Sequence, residues 1–157
     1  AGIRLLLKGG AKTETRDKDG ATALFWAVRH DCLGCAQALL EAGANPNAVD
    51  QMRNTPLLRS AIHGNSVMTT MLLEHGARTE NKDKDGRTPI LRAVMYGHTK
   101  SVHAMLKAGG NASAVDAANG MSALIYASRS SYNAVAQLLI DHGADIHQRD
   151  SYNNSAM

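Results

Sequence analysis

Aromatic side chains are scarce in this chain of 157 residues: one Trp, one Phe and four Tyr, 4% of the total. Its core must therefore be built from Ala, Leu, Val, Ile and Met. Cysteine is scarcer still. Two thiols cannot form the disulfide framework of a small secreted domain, which points to a reducing, intracellular setting. Long apolar runs are missing, so no segment is expected to span a membrane. The opening "AGIRLLLKGG" has neither an initiator Met nor a full signal-peptide core. Nor is there a marked excess of either charge: 17 Lys and Arg oppose 14 Asp and Glu, a net +3. Such a balance favours an anionic partner only where the positive charge is gathered on one face. What remains is 44% apolar, enough for one globular domain with a real core.

The chain repeats itself. Asp17, Asp50, Asp83 and Asp116 are 33 residues apart, and Asp150 follows after 34. The strings "EAGAN", "EHGAR", "KAGGN" and "DHGAD" keep the same frame, as does an earlier partial "KGGAK". In each unit a hydroxyl residue (Thr22, Thr55, Thr88, Ser122) stands where it can cap a helix. Pro56 and Pro89 follow at the position where a missing N–H costs nothing. A short helix is predicted next, closed by a left-handed residue: Gly64 or Gly97, with Asp31 and Ser131 as less comfortable substitutes. A second short helix carries paired apolar residues such as Leu39 and Leu40, or Leu72 and Leu73. Neither helix is long enough to stand alone in water, so each unit must stack on its neighbours as a solenoid.

A 33-residue unit with a polar turn, "TPL", two helices and "LLxxGA" resembles the ankyrin repeat. "NTPLL", "GRTPIL", "YGH" and "LLEAGANPNAVD" carry the resemblance. It covers a partial unit at 1–16, units at 17–49, 50–82, 83–115 and 116–149, and a partial unit at 150–157. The expected fold is an all-α solenoid with β-hairpin-like fingers between helix pairs. Without polar capping units, the chain is expected to be a segment of a longer array, its ends fraying against missing neighbours. Some residues depart from the family pattern. Phe25, Leu58, Leu91 and Ile125 replace the usual His after "TPL", so apolar packing must replace its hydrogen bonds. Ala23 and Ala123 stand for Pro. Arg53 replaces the turn glycine, which predicts a finger of different shape. "DAANG" carries one extra residue and predicts a bulged fingertip.

Candidate chemistry is thin. "NKDKDG" imitates the start of a calcium loop, but Arg92 stands at the twelfth position, where a bidentate Glu is required. Its Asp and Gly read as turn residues. Cys32 and Cys35 form a C-x-x-C with no second pair to complete a zinc site. Cys35 falls in register with Met68 and Val135 and reads as a small buried hydrophobe. There is no Ser/His/Asp set, no Gly-rich phosphate loop and no pair of acids with a plausible common cleft. The sequence predicts no catalytic residue, no metal site and no cofactor. Asn111 and Asn153 open glycosylation-type triplets of the sort that arise by chance.

The resemblance implies a concave groove lined by the first helices and the fingertips. On each first helix the exposed positions fall at i, i+3 and i+4. They are Trp26, Arg29 and His30; Arg59, Ile62 and His63; Arg92, Met95 and Tyr96; Tyr126, Arg129 and Ser130. This stripe holds four Arg, one Trp, two Tyr and no acid, the residue types that dominate interface hot spots. The competing reading is that the first residue of each triplet packs between units with its charge snorkelling outward. The fingers add Lys18, Asp19, Gln51, Met52, Asn54, Lys84, Asp85, Arg87 and Met121, mixed in charge. The expected role is non-enzymatic binding of a partner protein or acidic peptide. The alternative is a regulatory or substrate-recruiting arm of a larger enzyme or signalling protein. Nucleic-acid binding would show a steep salt dependence and is disfavoured by the absence of Lys/Arg clusters.

Overall fold

The computed structural model describes residues 2–156. Among them the helices are α1 (Gly2–Lys8), α2 (Ala23–Arg29), α3 (Leu33–Glu41), α4 (Pro56–His63), α5 (Ser66–Glu74), α6 (Pro89–Met95), α7 (Thr99–Lys107), α8 (Ala123–Arg129) and α9 (Asn133–Asp141). No strand forms among the described residues. Val115 and Ser122 make one isolated antiparallel bridge. None of these helices is long and apolar enough to cross a membrane. The fold is an all-α repeat solenoid. Helices pair within a unit as α2–α3, α4–α5, α6–α7 and α8–α9. Between units α2, α4, α6 and α8 stack in one row, and α5, α7 and α9 in the other.

Each first helix starts as its sequence dictates. Thr22, Thr55, Thr88 and Ser122 accept the backbone N–H three residues on. Phe25, Leu58, Leu91 and Ile125 are buried, so apolar packing does occupy the place of the missing His. The α4 helix ends at Gly64 with φ 74°, and Gly97 follows α6 with φ 69°. Asp31 and Ser131 take the same left-handed conformation at φ 55° and 58°. At two of these turns a glycine is needed for space as well. A Cβ on Gly64 would lie 2.4–2.6 Å from the ring of His98, and one on Gly97 would lie 2.9 Å from Tyr132. The turns are thus sealed from unit to unit. His98 Nε2 also bonds the Ile62 carbonyl at 3.1 Å, and the Asn65 amide donates to Asp31.

The fingers are held by their aspartates. Oδ1 of Asp17, Asp50 and Asp83 accepts the backbone N–H groups two and four residues on. Arg53 adopts the left-handed φ of 61° that its glycine counterparts use, and its N–H closes the same turn on Asp50. The second finger therefore keeps the common shape, contrary to the expectation from the missing glycine. The extra residue in "DAANG" does widen its turn. Gly120 N–H closes on the Asp116 carbonyl four residues back, where the other turns close after three. Neighbouring fingers join by single backbone bonds: Gln51 to Asp19, Lys84 to Met52, and Ser151 to Asn119. Between the third and fourth fingers the link is a side chain, Arg87 Nε donating to Asp116 Oδ2 at 2.9 Å.

The cysteines depart from expectation. Cys35 is half-buried, whereas Met68, Ser101 and Val135, in register with it, are fully enclosed. Only the short α1 covers α3 on that side. Cys35 is bonded to Cys32 as a disulfide.

Candidate functional site

The predicted stripe lies on the stacked first helices α2, α4, α6 and α8 and their C-caps, and its positions divide into two kinds. The first residue of three triplets turns back onto the aspartate of its own finger. Trp26 Nε1–H donates to Asp17 Oδ2 at 2.6 Å. Arg92 donates through Nε to Asp83 at 2.7 Å and through Nη2 to Asp85 at 2.8 Å, with 14% of its side chain exposed. Tyr126 OH donates to Asp116 Oδ2 at 2.6 Å and accepts from Asn119. These three residues brace the fingers. Their aspartates respond in kind. The Trp26 bond, with the Ala21 and Asp19 N–H groups, holds Asp17 below the ordinary carboxylate range. Burial alone would raise Asp116, yet bonds from Tyr126, the Ala118 N–H and Arg87 outweigh it and lower its pKa. Tyr126 is pushed up by burial and by its bond to Asp116.

The second unit breaks the pattern. Oδ2 of Asp50 is taken by the Asn54 amide at 3.1 Å. Arg59 forms no ion pair with any described residue, its buried Nε has no hydrogen-bond partner, and its guanidinium lies 5.8 Å from the Phe25 ring.

Most of the later positions of each triplet are exposed. Arg29 lies over the Trp26 ring at 4.8 Å, and His30 stacks on it at 5.5 Å. Ile62 and Met95 are half-buried; His63 and Ser130 are exposed. Burial lowers the pKa of His63, and the Arg59 charge lowers it further, against the opposing pull of Asp31. Tyr96 is 51% exposed and contacts His98. Arg129 is 61% exposed and reaches Asp150 only at 4.0 Å.

On the fingers, Lys18, Asp19, Gln51, Met52, Lys84 and Asp85 are exposed. Asn54 and Arg87 are half-buried and engaged by Asp50 and Asp116. Met121 is not a fingertip contact, being only 9% exposed. In the widened turn its N–H is held by Asn119 Oδ1, and its carbonyl accepts the Asp116 N–H, which folds the residue inward. Sequence reasoning missed the aspartates as partners of the stripe. The spacing was a partial signal: Trp26, Arg59 and Arg92 each follow a finger aspartate by nine residues and Tyr126 by ten, yet Arg59 does not pair with its aspartate. Among the described residues, no group of three His, Cys, Asp or Glu side chains is placed to hold a metal ion.

Capped helix pairs, stacked in two rows and joined by aspartate-closed fingers, define a repeat solenoid. The ankyrin repeat model matches residues 1–50, 43–116 and 77–150 in three copies, and the chain belongs to the ankyrin repeat family. The crystal structure of EF0377, an ankyrin repeat protein, superposes with a TM-score of 0.87 at 24% identity, over 97% of this chain and 79% of that one. No curated protein is significantly similar in sequence. Ankyrin repeats are generally protein–protein interaction modules and generally non-enzymatic.

Proposed function

We propose that the concave face, lined by α2, α4, α6, α8 and the fingers, binds a protein or peptide partner of acidic or mixed charge. The observation that supports this reading is the outward set Arg29, His30, His63, Tyr96 and Arg129: exposed, cationic or aromatic, and free of acids at the same positions. Arg and Tyr supply large contact areas and charge-assisted bonds at interface centres. Arg87 and Arg92 are already neutralised by Asp83, Asp85 and Asp116, so the acid-attracting part of the face is narrower than the arginine content suggests.

The test is charge reversal at two exposed positions, Arg29→Glu with Arg129→Glu; Arg29 rests on the Trp26 ring and Arg129 approaches Asp150 only at 4.0 Å. Partners retained from lysate by the parent chain are expected to be lost by the double variant, while its circular dichroism stays unchanged. Retention of the same partners would remove the concave face as the binding surface. It would leave the fold untouched.

A further inference from the structure

We propose that the cavity between the first two fingers is a carboxylate pocket, which receives a glutamate side chain of the partner on Arg59. This inference rests on the concave face being the binding face and assigns it a specific anchor. The cavity holds about 300 Å³ and is lined by Phe25, Trp26, Arg29, Met52 and Arg59, together with finger residues that include Asp19 and Asp50.

Three observations converge. The first comes from the repeat itself. In the other three units the residue at this position donates to an aspartate of its own finger. In the second unit that aspartate oxygen is occupied by Asn54, and Met52 stands where Asp85 supplies a second carboxylate to Arg92. Arg59 is thus a cation that forms no ion pair with any described residue, although Asp50 lies in the same lining. The second is its Nε, which is covered by protein and has no hydrogen-bond partner, so nothing in the chain engages this donor. The third is the second cation in the lining, Arg29, which lies over the Trp26 ring and forms no ion pair with any described residue.

The lining selects among anions. Phe25, Trp26 and Met52 give an apolar wall suited to the methylenes of a glutamate, and Arg59 in the same lining offers the guanidinium for its carboxylate. Asp19 and Asp50 share the cavity, and their charge opposes a phosphate dianion more strongly than a carboxylate monoanion.

Trp26, the only tryptophan, lines the cavity and reports its occupancy by fluorescence. The probes are the blocked pentapeptide acetyl-Ala-Leu-Glu-Leu-Ala-amide, its Gln counterpart, its phosphoserine counterpart, and a Leu peptide ending in a free carboxylate. The Glu peptide is expected to saturate the Trp26 signal with a Kd at least about tenfold below that of the Gln peptide and below those of the other two probes. Arg59→Met, which keeps the apolar stem, should bring the Glu/Gln ratio close to one. Arg59→Lys should retain part of the preference. Equal Kd values for Glu and Gln on the parent chain would overturn the proposal without any variant. So would tighter binding of the phosphoserine or free-carboxylate probe. If the pocket fails in this way while Arg29→Glu with Arg129→Glu still loses its partner, the face survives and only the anchor is lost.

Discussion

Asp116→Asn removes one charge from the joint between the third and fourth units. Asp116 is fully buried and accepts from Arg87 Nε at 2.9 Å, from Tyr126 OH at 2.6 Å and from the Ala118 N–H at 3.0 Å. Asparagine can keep the Ala118 bond with its oxygen, but its amide then faces the Arg87 donor. A hydrogen bond to a charged group is worth roughly 1.5–3 kcal/mol, and Arg87, 21% exposed, is left with only Asp85 at 3.7 Å. The Tyr126 hydroxyl can reverse and accept, which limits the loss. The expected cost is about 2–3 kcal/mol. At roughly 2–4 °C per kcal/mol for a chain of this size, Tm should fall by about 4–12 °C. Because each solenoid unit contacts only its neighbours, the loosening should be local. Amide hydrogen exchange should accelerate in α8 and α9 and stay unchanged in α2 and α3. There is a pH signature as well. The folded pKa of Asp116 lies below the ordinary 3.8, so its contribution is complete above that value and is lost as pH falls through the folded pKa. The Tm gap between parent and variant should therefore narrow in acid. A Tm within 1 °C of the parent at neutral pH, or exchange that quickens equally at both ends, would refute the reasoning.

Glycine substitutions offer an internal control. Gly64→Ala meets both a positive φ and the His98 ring, and should cost about 2–3 kcal/mol in denaturant unfolding; Gly76→Ala, at φ 85° in open space, should cost only about 1 kcal/mol. Equal losses would show that the His98 contact contributes nothing. Removing a cap by Thr55→Ala should cost about 1 kcal/mol in the same assay. For His63, whose surroundings include Arg29, Arg59, Asp31 and His98, the folded pKa is lowered from 6.5. The unfolded chain then takes the proton first, and stability should fall as pH drops below about 6.5. Melting of the parent at pH 7.5 and 5.5 should show a larger loss than His63→Gln does, and identical losses would dismiss the effect.

The fold was legible because its signals are local. Hydroxyl caps, prolines and left-handed glycines recur at one period, and each acts on the residues beside it. Even the departures at Phe25 and Leu58 were readable, since an apolar residue in a capped first turn has only the core to enter. Arg53 misled because arginine can occupy a left-handed position when the aspartate turn around it supplies the bonds. Met121 misled because the extra residue shifts which side of the finger turns inward. The binding face was legible as a stripe but not as two populations. Whether Arg59 and Arg92 are free or engaged depends on Asn54, Met52 and Asp85 several residues away. The pairing of Trp26 with Asp17 depends on a turn that brings a finger back over its helix. The Cys32–Cys35 bond depends on thiol chemistry rather than periodicity.

The central claim is that the arginines of one face divide into structural and available ones. The side-chain Nε–H resonances of Arg59, Arg87 and Arg92 test it directly, recorded during titration with the blocked Glu pentapeptide. Arg87 and Arg92 should exchange slowly with water and stay fixed, while the Arg59 signal moves and saturates with the Trp26 fluorescence. Movement of Arg87 and Arg92 with a stationary Arg59 would contradict the account.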